Sequence, residues 1–186
     1  MESPIIYSSS EHVSLLPEIV ALHQACITQP PYVIATFLPP FKAGEMEAWW
    51  EQRVHEQEQG YRKIILQMAV NEKTGKTEVA GYCMLGMPVS QTGPFRGIVE
   101  KLLVSPEHRR KGIARRLMER LEAVAKEEGR TLLTLDTITG SPAELIYPKL
   151  GYIQVGIIPN YGISPLDRSL QGGTFFYKNL LASVEK

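Results

Sequence analysis

One strand-helix-strand unit constrains the fold of this chain more than any other feature of its sequence. The apolar run "GIVEKLLV" at 97–104 precedes an amphipathic helix at 107–122, and a second apolar run, "TLLTLD", follows at 131–136. A helical crossover of this length is typical of neighbouring parallel strands. Two earlier apolar runs, at 63–70 and 77–85, are joined by the polar "NEKTGK", which indicates an antiparallel hairpin. We therefore predict an α/β fold with a mixed, mostly antiparallel sheet, one parallel strand pair and flanking helices.

The remaining segments complete this sheet and cover it. Periodicity and turn residues predict, in chain order, a helix at 15–26, a helix at 44–58, a short helix at 141–151, a strand at 152–158 and a strand at 173–180. The polar segment 159–173 is predicted to be a long ordered loop of the kind that often carries function. With 186 residues and no linker-like stretch, the chain is expected to form one domain, 1–186.

Composition argues against several classes of partner. The 20 basic and 20 acidic side chains balance, and this zero net charge argues against general binding to nucleic acid or to anionic membranes. Two cysteines are too few for a disulfide framework, and the four histidines are scattered without metal-ligand spacing. The N-terminus does not resemble a signal peptide, and no apolar run reaches 18 residues. We therefore expect a cytoplasmic protein without a metal.

The helix of the central unit carries its positive charge at the unfavourable end. Five of the eight residues 109–116 are cationic, whereas a helix N-terminus already has a partial positive charge. Gly112 lies where the chain enters the helix, and the first N–H groups of a helix have no partner within it. Free amides, cations and a glycine together predict a local anion site of the phosphate type. A solvated cationic face is the alternative that charge alone leaves open.

Two sequence motifs give this anion site a family context. "RRKGIA", with Arg109, Gly112 and Ala114, resembles the Q/R-x-x-G-x-G/A signature of the GNAT superfamily of N-acetyltransferases. Downstream, "AELIYPKLGY" at 143–152 resembles the A-x-x-x-Y-x-x-x-G-F/Y segment of the same enzymes. The resemblance covers about residues 64–180. "LLTLDTITGSPAE" and "GIIPNYG" are similar to the tabtoxin resistance acetyltransferase branch, which detoxifies an antimetabolite.

The resemblance implies the GNAT acyl-CoA N-acyltransferase fold, with acetyl-CoA held where the strands at 98–104 and 131–136 splay apart. The pyrophosphate is expected on the backbone amides of Arg109, Arg110, Lys111, Gly112, Ile113, Ala114 and Arg115. The pantetheine arm is expected to bond the backbone of Leu102, Leu103 and Val104, as an added strand would. Ser141, in the capping-box sequence S-P-A-E, is expected to be mainly a capping residue and secondarily a cofactor contact.

Three residues are candidates for moving protons during acetyl transfer. Tyr147 matches the position of the family's tyrosine acid, which protonates the leaving thiolate; a core aromatic is the structural alternative. The position that often carries a glutamate base is Ile98 here, which departs from the family pattern. The base is therefore expected to be Asp136 first and Glu100 second. A capping carboxylate and an ion-paired carboxylate are the respective structural alternatives.

The acceptor is the least determined part of the prediction. Trp50, Tyr161 and Arg168 are candidate contacts of an amino-acid-like substrate, with the arginine suited to a carboxylate, and Trp49 is a candidate wall of the same site beside Trp50. Core packing or a surface loop is the structural alternative for each of them. Residues 1–62 are expected to shape this side. We expect acetylation of a small amine by direct attack in a ternary complex, in the manner of toxin or antibiotic detoxification. Acetylation of protein N-termini or lysines, and a non-catalytic acyl-CoA-binding role, are the alternatives. The apolar C-terminal strand is expected to suit the edge of a homodimer.

Overall fold

The computed structural model describes residues 2–181, which form seven strands and four α-helices. In chain order these are β1 (Ile5–Ile6), α1 (Ser9–His12), α2 (Leu16–Thr28), α3 (Glu45–Glu58), β2 (Arg62–Val70), β3 (Thr77–Gly86), β4 (Arg96–Val104), α4 (Ile113–Glu127), β5 (Leu132–Ile138), β6 (Ile153–Ile163) and β7 (Leu170–Asn179). Within the described part of the chain, no helix combines the length and the apolar character that crossing a membrane requires.

All seven strands belong to one sheet in the order β1-β2-β3-β4-β5-β7-β6. Every neighbouring pair is antiparallel except β4 and β5, which run parallel because α4 carries the chain across from one to the other. The predicted mixed sheet with one parallel pair is therefore confirmed. Strand β7 lies inside the sheet between β5 and β6, so the prediction that the C-terminal strand forms a free edge is wrong. The edge is β6.

Helices cover both faces of the sheet. On one face, α4 packs its apolar stripe against β2, β3 and β4. Gly81 of β3 permits this close approach, because a Cβ atom there would lie 2.9 Å from the Leu103 carbonyl oxygen and 3.0 Å from Ile113 Cγ2. On the other face, α2 and α3 enclose a second core in which Trp50 and Tyr82 are fully buried.

Strands β4 and β5 separate soon after they meet. Their parallel pairing is limited to three positions: Arg96 with Leu132, Gly97 with Leu133 and Ile98 with Thr134. Farther along, β4 has an extra residue relative to β3, and Lys101 within this irregularity adopts a left-handed φ of +52°. A bulge bends the strand that carries it, which accounts for the divergence. The opening between residues 99–104 and the end of β5 is called the splay below.

Residues 141–151 contain no α-helix, so the short helix predicted there is wrong. They form consecutive turns that end in one 3₁₀ turn at Pro148–Leu150. The hydrogen bonds of a capping box are nevertheless present, since the Glu144 amide donates to Ser141 Oγ (3.3 Å) and Glu144 Oε2 accepts from the Gly140 amide (2.6 Å). Pro148 lacks the amide that would continue a helix, so these caps begin a turn that does not propagate.

The segment 159–173 is mostly strand rather than loop. Strand β6 extends to Ile163 and β7 begins at Leu170, which leaves only residues 164–169 as the connection. The pairing of β6 with β7 contains two register irregularities, and Asn160 adopts φ +57°. Polar residues and glycines lower the strand propensity of this segment, but pairing with β7 provides hydrogen-bond partners for its backbone and therefore makes it a strand.

His23 of α2 is a buried histidine enclosed by aromatic rings. The ring centroids within 6.1 Å of its own are those of Phe37, Trp49, Trp50 and Tyr82. Its Nε2–H donates to the Ala35 carbonyl oxygen (2.9 Å). Burial lowers the pKa of His23 to about 4, an effect that this hydrogen bond opposes and the Lys101 cation reinforces. The imidazole is therefore neutral at pH 7.

This environment of His23 predicts a loss of stability in mild acid. In the unfolded chain His23 binds a proton with the ordinary pKa of 6.5, whereas in the folded chain its pKa is near 4. The unfolding free energy that this difference contributes is therefore fully present above pH 6.5 and is lost as the pH falls toward 4. We expect His23 to account for about 2.5 kcal/mol of unfolding free energy lost between pH 7 and pH 4.5. Urea unfolding at pH 7 and pH 4.5 should show a smaller loss of unfolding free energy in His23→Gln than in wild type. The exposed control His55→Gln should match wild type, and equal losses in all three proteins would contradict the assignment.

Candidate active site

The connection from β4 to α4, residues 105–112, forms a cradle of backbone amides. After a 3₁₀ turn at Pro106–His108, the chain passes through two left-handed residues, Arg110 (φ +64°) and Gly112 (φ +77°). Within residues 2–181, no side chain caps the N-terminus of α4, where Ile113 is buried and Ala114 half-buried. The first amides of the helix are therefore available to an anion. A Cβ atom on Gly112 would meet no atom within 4 Å, so the space beside this glycine is open.

The cationic side chains of the cradle have different partners. Arg109 turns back toward the fold, where its guanidinium donates to the carbonyl oxygens of Pro30 and Val104. Arg110 is exposed. Two other cations form ion pairs at the surface: Lys111 with Glu72 (2.6 Å) and Arg115 with Glu119 (4.0 Å). Such pairs are weak, so these cations remain available to an anionic ligand, whereas the Arg109 side chain is structural.

One edge of β4 faces the splay. Residues 102–104, whose backbone was predicted to bind the pantetheine arm, follow the point at Ile98 where pairing with β5 ends. On the other side, this part of β4 is paired with β3. The splay side therefore offers an edge that an extended ligand can pair with. The Val104 carbonyl oxygen already accepts from Arg109 Nε (3.3 Å) and from the Cys26 thiol (3.4 Å), so this oxygen is less available than predicted.

Charged side chains from β4 and β5 influence one another electrostatically across the splay. Asp136 near the end of β5 interacts electrostatically with Lys101 of the β4 bulge and with Glu100. Partial removal from water raises the pKa of Asp136 above the ordinary 3.8; Lys101 opposes this shift and Glu100 adds to it. Burial lowers the pKa of the half-buried Lys101 amine. Asp136 is thus a stronger base than an ordinary aspartate.

Glu100 belongs to an ion-pair network. Its Oε2 accepts from Arg62 Nη1 (2.7 Å), and Arg62 Nε also donates to Glu56 Oε2 (2.9 Å). Arg62 is buried, so losing a carboxylate would leave part of its charge uncompensated. An open pocket of about 310 Å³ lies beside this network, with Tyr61 and Ile98 in its lining. These contacts favour the ion-paired alternative for Glu100 over the role of base.

Tyr147 is a buried aromatic residue close to the end of β5. Its ring packs on Phe176 (centroids 5.5 Å apart) and on Tyr152 (5.8 Å). Burial raises the pKa of the Tyr147 phenol, and the neighbouring Cys83 and Asp136 add to the shift, so the hydroxyl stays protonated at neutral pH. Its electrostatic interaction with Asp136 brings the two predicted proton-transfer residues into one neighbourhood.

Ser141 is occupied within its own turn. Its Oγ accepts from the Glu144 amide (3.3 Å) and lies 3.4 Å from Thr137 Oγ1 at the end of β5. This is the capping-type interaction that the sequence favoured, while a contact with the cofactor stays a prediction. Across the described residues, His, Cys, Asp and Glu side chains form no group of three or more that could hold a metal ion.

The three predicted acceptor contacts lie in different environments. Trp50 is fully buried in the core between α3 and the sheet, so the prediction that it lines a ligand surface is corrected. Tyr161 of β6 is exposed and its ring packs edge-on against Phe175 (5.0 Å). Arg168 adopts φ +66°, and its guanidinium donates to the Pro39 carbonyl oxygen. This bond ties the β6–β7 turn to the loop between α2 and α3.

This region also contains Lys101, which the sequence did not single out, and Trp49, which is predicted together with Trp50 as a candidate wall of the acceptor site. Lys101 resembles an ordinary strand lysine, because the bulge that turns it into the splay depends on the register with β3. Trp49 is half-buried, packs on Phe37 and has the Arg53 guanidinium 4.9 Å from its ring centroid. The sequence indicates this position of Trp49, because the predicted apolar stripe of α3 contains Trp50 and the neighbouring residue must then lie at the border of the core.

Comparison with known proteins gives this geometry a family context. A sequence model described as the acetyltransferase (GNAT) family matches residues 29–152. Similar solved structures include an N-acetyltransferase from Staphylococcus aureus Mu50 (TM-score 0.71, 21% identity, covering 96% of this chain and 99% of that chain). A ribosomal-protein-alanine N-acetyltransferase from Brucella melitensis has TM-score 0.72, 16% identity and 96% and 100% coverage. A phosphinothricin acetyltransferase from Sinorhizobium meliloti, in complex with AcCoA, has TM-score 0.72, 17% identity and 96% and 88% coverage.

The family match and the site geometry agree. The matched segment contains the cradle, the splay and Tyr147, and it begins at residue 29, well before residue 64, where the expected resemblance begins. It spans more than half of the 186 residues, so the assignment does not depend on one short motif. This chain belongs to the GNAT family of acetyltransferases.

Proposed function

We propose that this protein transfers the acetyl group of acetyl-CoA to the amine of a small, amino-acid-like molecule. The observation that carries the proposal is the splay between β4 and β5, with the amide cradle beyond β4 and the coupled pair Asp136 and Tyr147 at the end of β5. A cosubstrate with a diphosphate, an extended arm and a reactive thioester suits these three features together.

The cradle suits a diphosphate on electrostatic grounds. Arg110, Lys111 and Arg115 add positive charge to that of the α4 N-terminus, and within the described chain no carboxylate caps this end. A bound diphosphate supplies the missing negative charge and accepts hydrogen bonds from the free amides of 110–115. Residues 102–104 are then placed to bond the arm that leads from the diphosphate to the thioester.

Asp136 is proposed as the base that accepts the amine proton. An alkylammonium with a pKa near 10.4 costs about 4.6 kcal/mol to deprotonate at pH 7. The raised pKa of Asp136 makes it a better acceptor of this proton, directly or through one water. The neutral amine then attacks the thioester carbonyl carbon: the C–N bond forms, the C–S bond breaks, and sulfur leaves with the proton of Tyr147. The second proton of the attacking nitrogen restores the Tyr147 phenol, directly or through water, and the first leaves Asp136 for solvent, so that amide and free thiol are formed without an acetyl-enzyme.

Tyr147 is proposed as the acid that protonates the departing sulfur. A thiolate with a pKa near 8.5 leaves more readily when it receives a proton during bond cleavage. Burial keeps the Tyr147 hydroxyl protonated until that moment, as an acid requires. The interaction of Tyr147 with Asp136 links the proton taken from the amine to the proton given to sulfur within one site.

We assign the acceptor to the side of the splay where Ile98 and Glu100 line an open pocket of about 310 Å³. The bond from Arg168 to the Pro39 carbonyl oxygen ties the β6–β7 turn to the loop after α2. Motif similarity to tabtoxin resistance enzymes and likeness of fold to a phosphinothricin acetyltransferase support an amino-acid-like acceptor and a detoxifying role.

A substrate panel tests the proposed function. Purified protein with acetyl-CoA should release free thiol above the hydrolysis background when amino acids or amino-acid antimetabolites are supplied, because their amines fit the small pocket. Peptides that present N-terminal or lysine amines serve as the comparison and should give background rates. Release of free thiol with peptides but not with amino acids would indicate a protein acceptor instead of a small molecule. No release, with CoA binding intact, would favour a binding module.

Gly112 provides a test of the cradle, with a matched control at the other end of α4. Gly112 (φ +77°) and Gly129 (φ +68°) are both left-handed, and a Cβ atom at either would meet no atom within 4 Å. Alanine should therefore cost each variant about 1 kcal/mol of unfolding free energy. Only Gly112 lies within the cradle, where an added methyl group would stand beside the proposed diphosphate, so we expect the Kd of Gly112→Ala for CoA to rise at least about 10-fold.

Calorimetric titration and thermal melts with CoA measure this difference. Wild type and Gly129→Ala should gain about 2.7 kcal/mol of stability at CoA near 100 times Kd. Gly112→Ala should gain clearly less at the same CoA concentration. Equal CoA affinity in the two variants would place the diphosphate elsewhere.

The catalytic roles predict slow turnover with intact cofactor binding. Asp136→Asn and Tyr147→Phe should each lower kcat about 100-fold, because each removes a group that moves a proton in the reaction. Their Kd values for CoA should stay near wild type. Asp136 must be ionised to act and its pKa is raised, so the wild-type rate should fall with decreasing pH at a pKa above 3.8. This acidic limb of the pH–rate profile should be absent from Asp136→Asn.

Tyr152→Phe is the matched control for this series. Tyr152 is buried like Tyr147 and packs against it, so its variant also removes a buried phenol hydroxyl. Its turnover should stay within about threefold of wild type. A comparable loss in both tyrosine variants would indicate a packing effect, and an unchanged acidic limb in Asp136→Asn would remove Asp136 from the mechanism.

A further inference from the structure

A buried hydrogen bond attaches the cradle to the hairpin formed by β2 and β3. His108 ends the 3₁₀ turn that opens the cradle, and it is 1% exposed. Its Nε2–H donates to Oε1 of Glu78, the second residue of β3, over 2.8 Å. Within residues 2–181, His108 Nδ1 has no hydrogen-bond partner, so the bond to Glu78 is the one that holds this imidazole. Charge-assisted bonds of this kind are among the stronger ones in proteins.

Glu78 is itself fixed by the turn of the hairpin, residues 71–76. The oxygen that accepts from His108 also accepts from Asn71 Nδ2 (2.9 Å). Asn71 Oδ1 in turn accepts from the amides of Lys73 (2.9 Å) and Thr74 (3.3 Å), as in an Asx turn. Burial raises the pKa of Glu78, but the hydrogen bonds from Asn71 and His108 bring the pKa below the ordinary 4.5, so the carboxylate is ionised at neutral pH.

Two ion pairs at the surface join the same turn to the cradle. Lys73 pairs with Glu107 (2.6 Å), and Lys111 pairs with Glu72 (2.6 Å). The side chains of Lys73 and Glu72 are 76% and 80% exposed, so water and salt weaken both pairs. The buried bond between histidine and glutamate is therefore the contact on which the attachment mainly depends.

The backbone of the cradle requires such an attachment. Arg110, two residues after His108, adopts a left-handed φ of +64°, which is costly for a residue with a side chain and persists only where the surroundings hold it. Gly112 follows with φ +77°, and Ile113 then enters the core with 1% exposure. The chain between His108 and Ile113 is thus held by a buried side chain at each end.

Releasing the first of these two ends would lower the fraction of unliganded molecules whose cradle is ready for an anion. The apparent Kd of a ligand rises in inverse proportion to that fraction. Once a ligand is bound, the cradle has the same conformation as in wild type, so the rate of a later step does not depend on the fraction. Weaker binding with an unchanged maximal rate is the expected signature.

We infer that His108 is a positioning residue: by donating to Glu78 of the β2–β3 hairpin, it holds the cradle in the conformation that binds the diphosphate of CoA. The imidazole acts through the backbone of residues 109–112. This role rests on the proposed binding of CoA in the cradle, and it makes the hairpin part of the cosubstrate site.

Calorimetric titration with CoA tests this role. His108→Leu keeps an apolar side chain in place but removes the donor, so its Kd for CoA should rise about 10-fold. His108→Gln should stay within about threefold of wild type, because its amide nitrogen can donate to Glu78. At saturating acetyl-CoA and the best amine of the substrate panel, kcat of His108→Leu should stay within about twofold of wild type.

Gln57→Leu is the matched control. Gln57 of α3 also connects separate elements, since it donates to the Tyr7 carbonyl oxygen (2.7 Å) and accepts from the Ile64 amide (2.6 Å). Ile64 lies near the start of β2, at the end of the hairpin away from the turn. The variant should lose stability in thermal melts and bind CoA with the wild-type Kd.

The bond itself is tested from its other side. Glu78→Leu should raise the Kd for CoA as His108→Leu does, and the double variant should show no more than the larger single effect, because both substitutions remove the same bond. Circular dichroism establishes that the variants are folded. Should His108→Leu fail to fold, Glu78→Leu carries the test, since the Glu78 side chain is 31% exposed.

Three outcomes would overturn the role of His108. They are a CoA affinity of folded His108→Leu equal to that of wild type, equal rises of Kd in the leucine and glutamine variants, and independent effects that multiply in the double variant. Wild type reports on the proposed function separately. Normal binding of CoA by wild type and by every variant would overturn the positioning role alone, whereas no binding by wild type would overturn both.

Discussion

The early end of the pairing between β4 and β5 is the constraint on which the rest of the site depends. Three paired positions are followed by a bulge, and Lys101 takes a left-handed backbone that only fixed surroundings can hold in place. The pairing of β4 with β3 provides that restraint on one side, so the distortion opens the other side. One deformation of a strand thus creates the edge for an extended ligand and brings a lysine to Asp136 at the end of β5.

Several features around the splay are unfavourable for the unliganded chain. The N-terminus of α4 has cations where a carboxylate would stabilise it, and Arg110 holds a left-handed backbone conformation that is costly for a residue with a side chain. A carboxyl group whose pKa is raised is more stable protonated, so ionised Asp136 lowers stability at neutral pH. Groups with this property are usually gathered where a ligand compensates them. Their concentration in one region is a physical reason, independent of motifs, to regard that region as functional.

Sequence reasoning succeeded where local periodicity or a motif decides the structure, and failed where contacts between distant segments decide it. The apolar spacing in α4 and the alternation of elements were enough for the mixed sheet. The bulge at Lys101 is set by the register of two strands, which no local pattern encodes. Trp50 and Trp49 differ by one position in a helix, and that rotation separates a core side chain from one near the surface. In 141–151 the caps of a helix were present, but Pro148 prevented its extension.

Arg109 connects two parts of the molecule that are distant in sequence. Its backbone belongs to the cradle, and its guanidinium donates to the Pro30 carbonyl oxygen in the loop that follows α2. Whatever restrains the cradle therefore also restrains this loop. Thermodynamic linkage makes such an effect reciprocal: a ligand that orders either segment would strengthen the binding of a ligand that orders the other, by the same factor in both directions. The Arg109 guanidinium is the direct bond between the two segments.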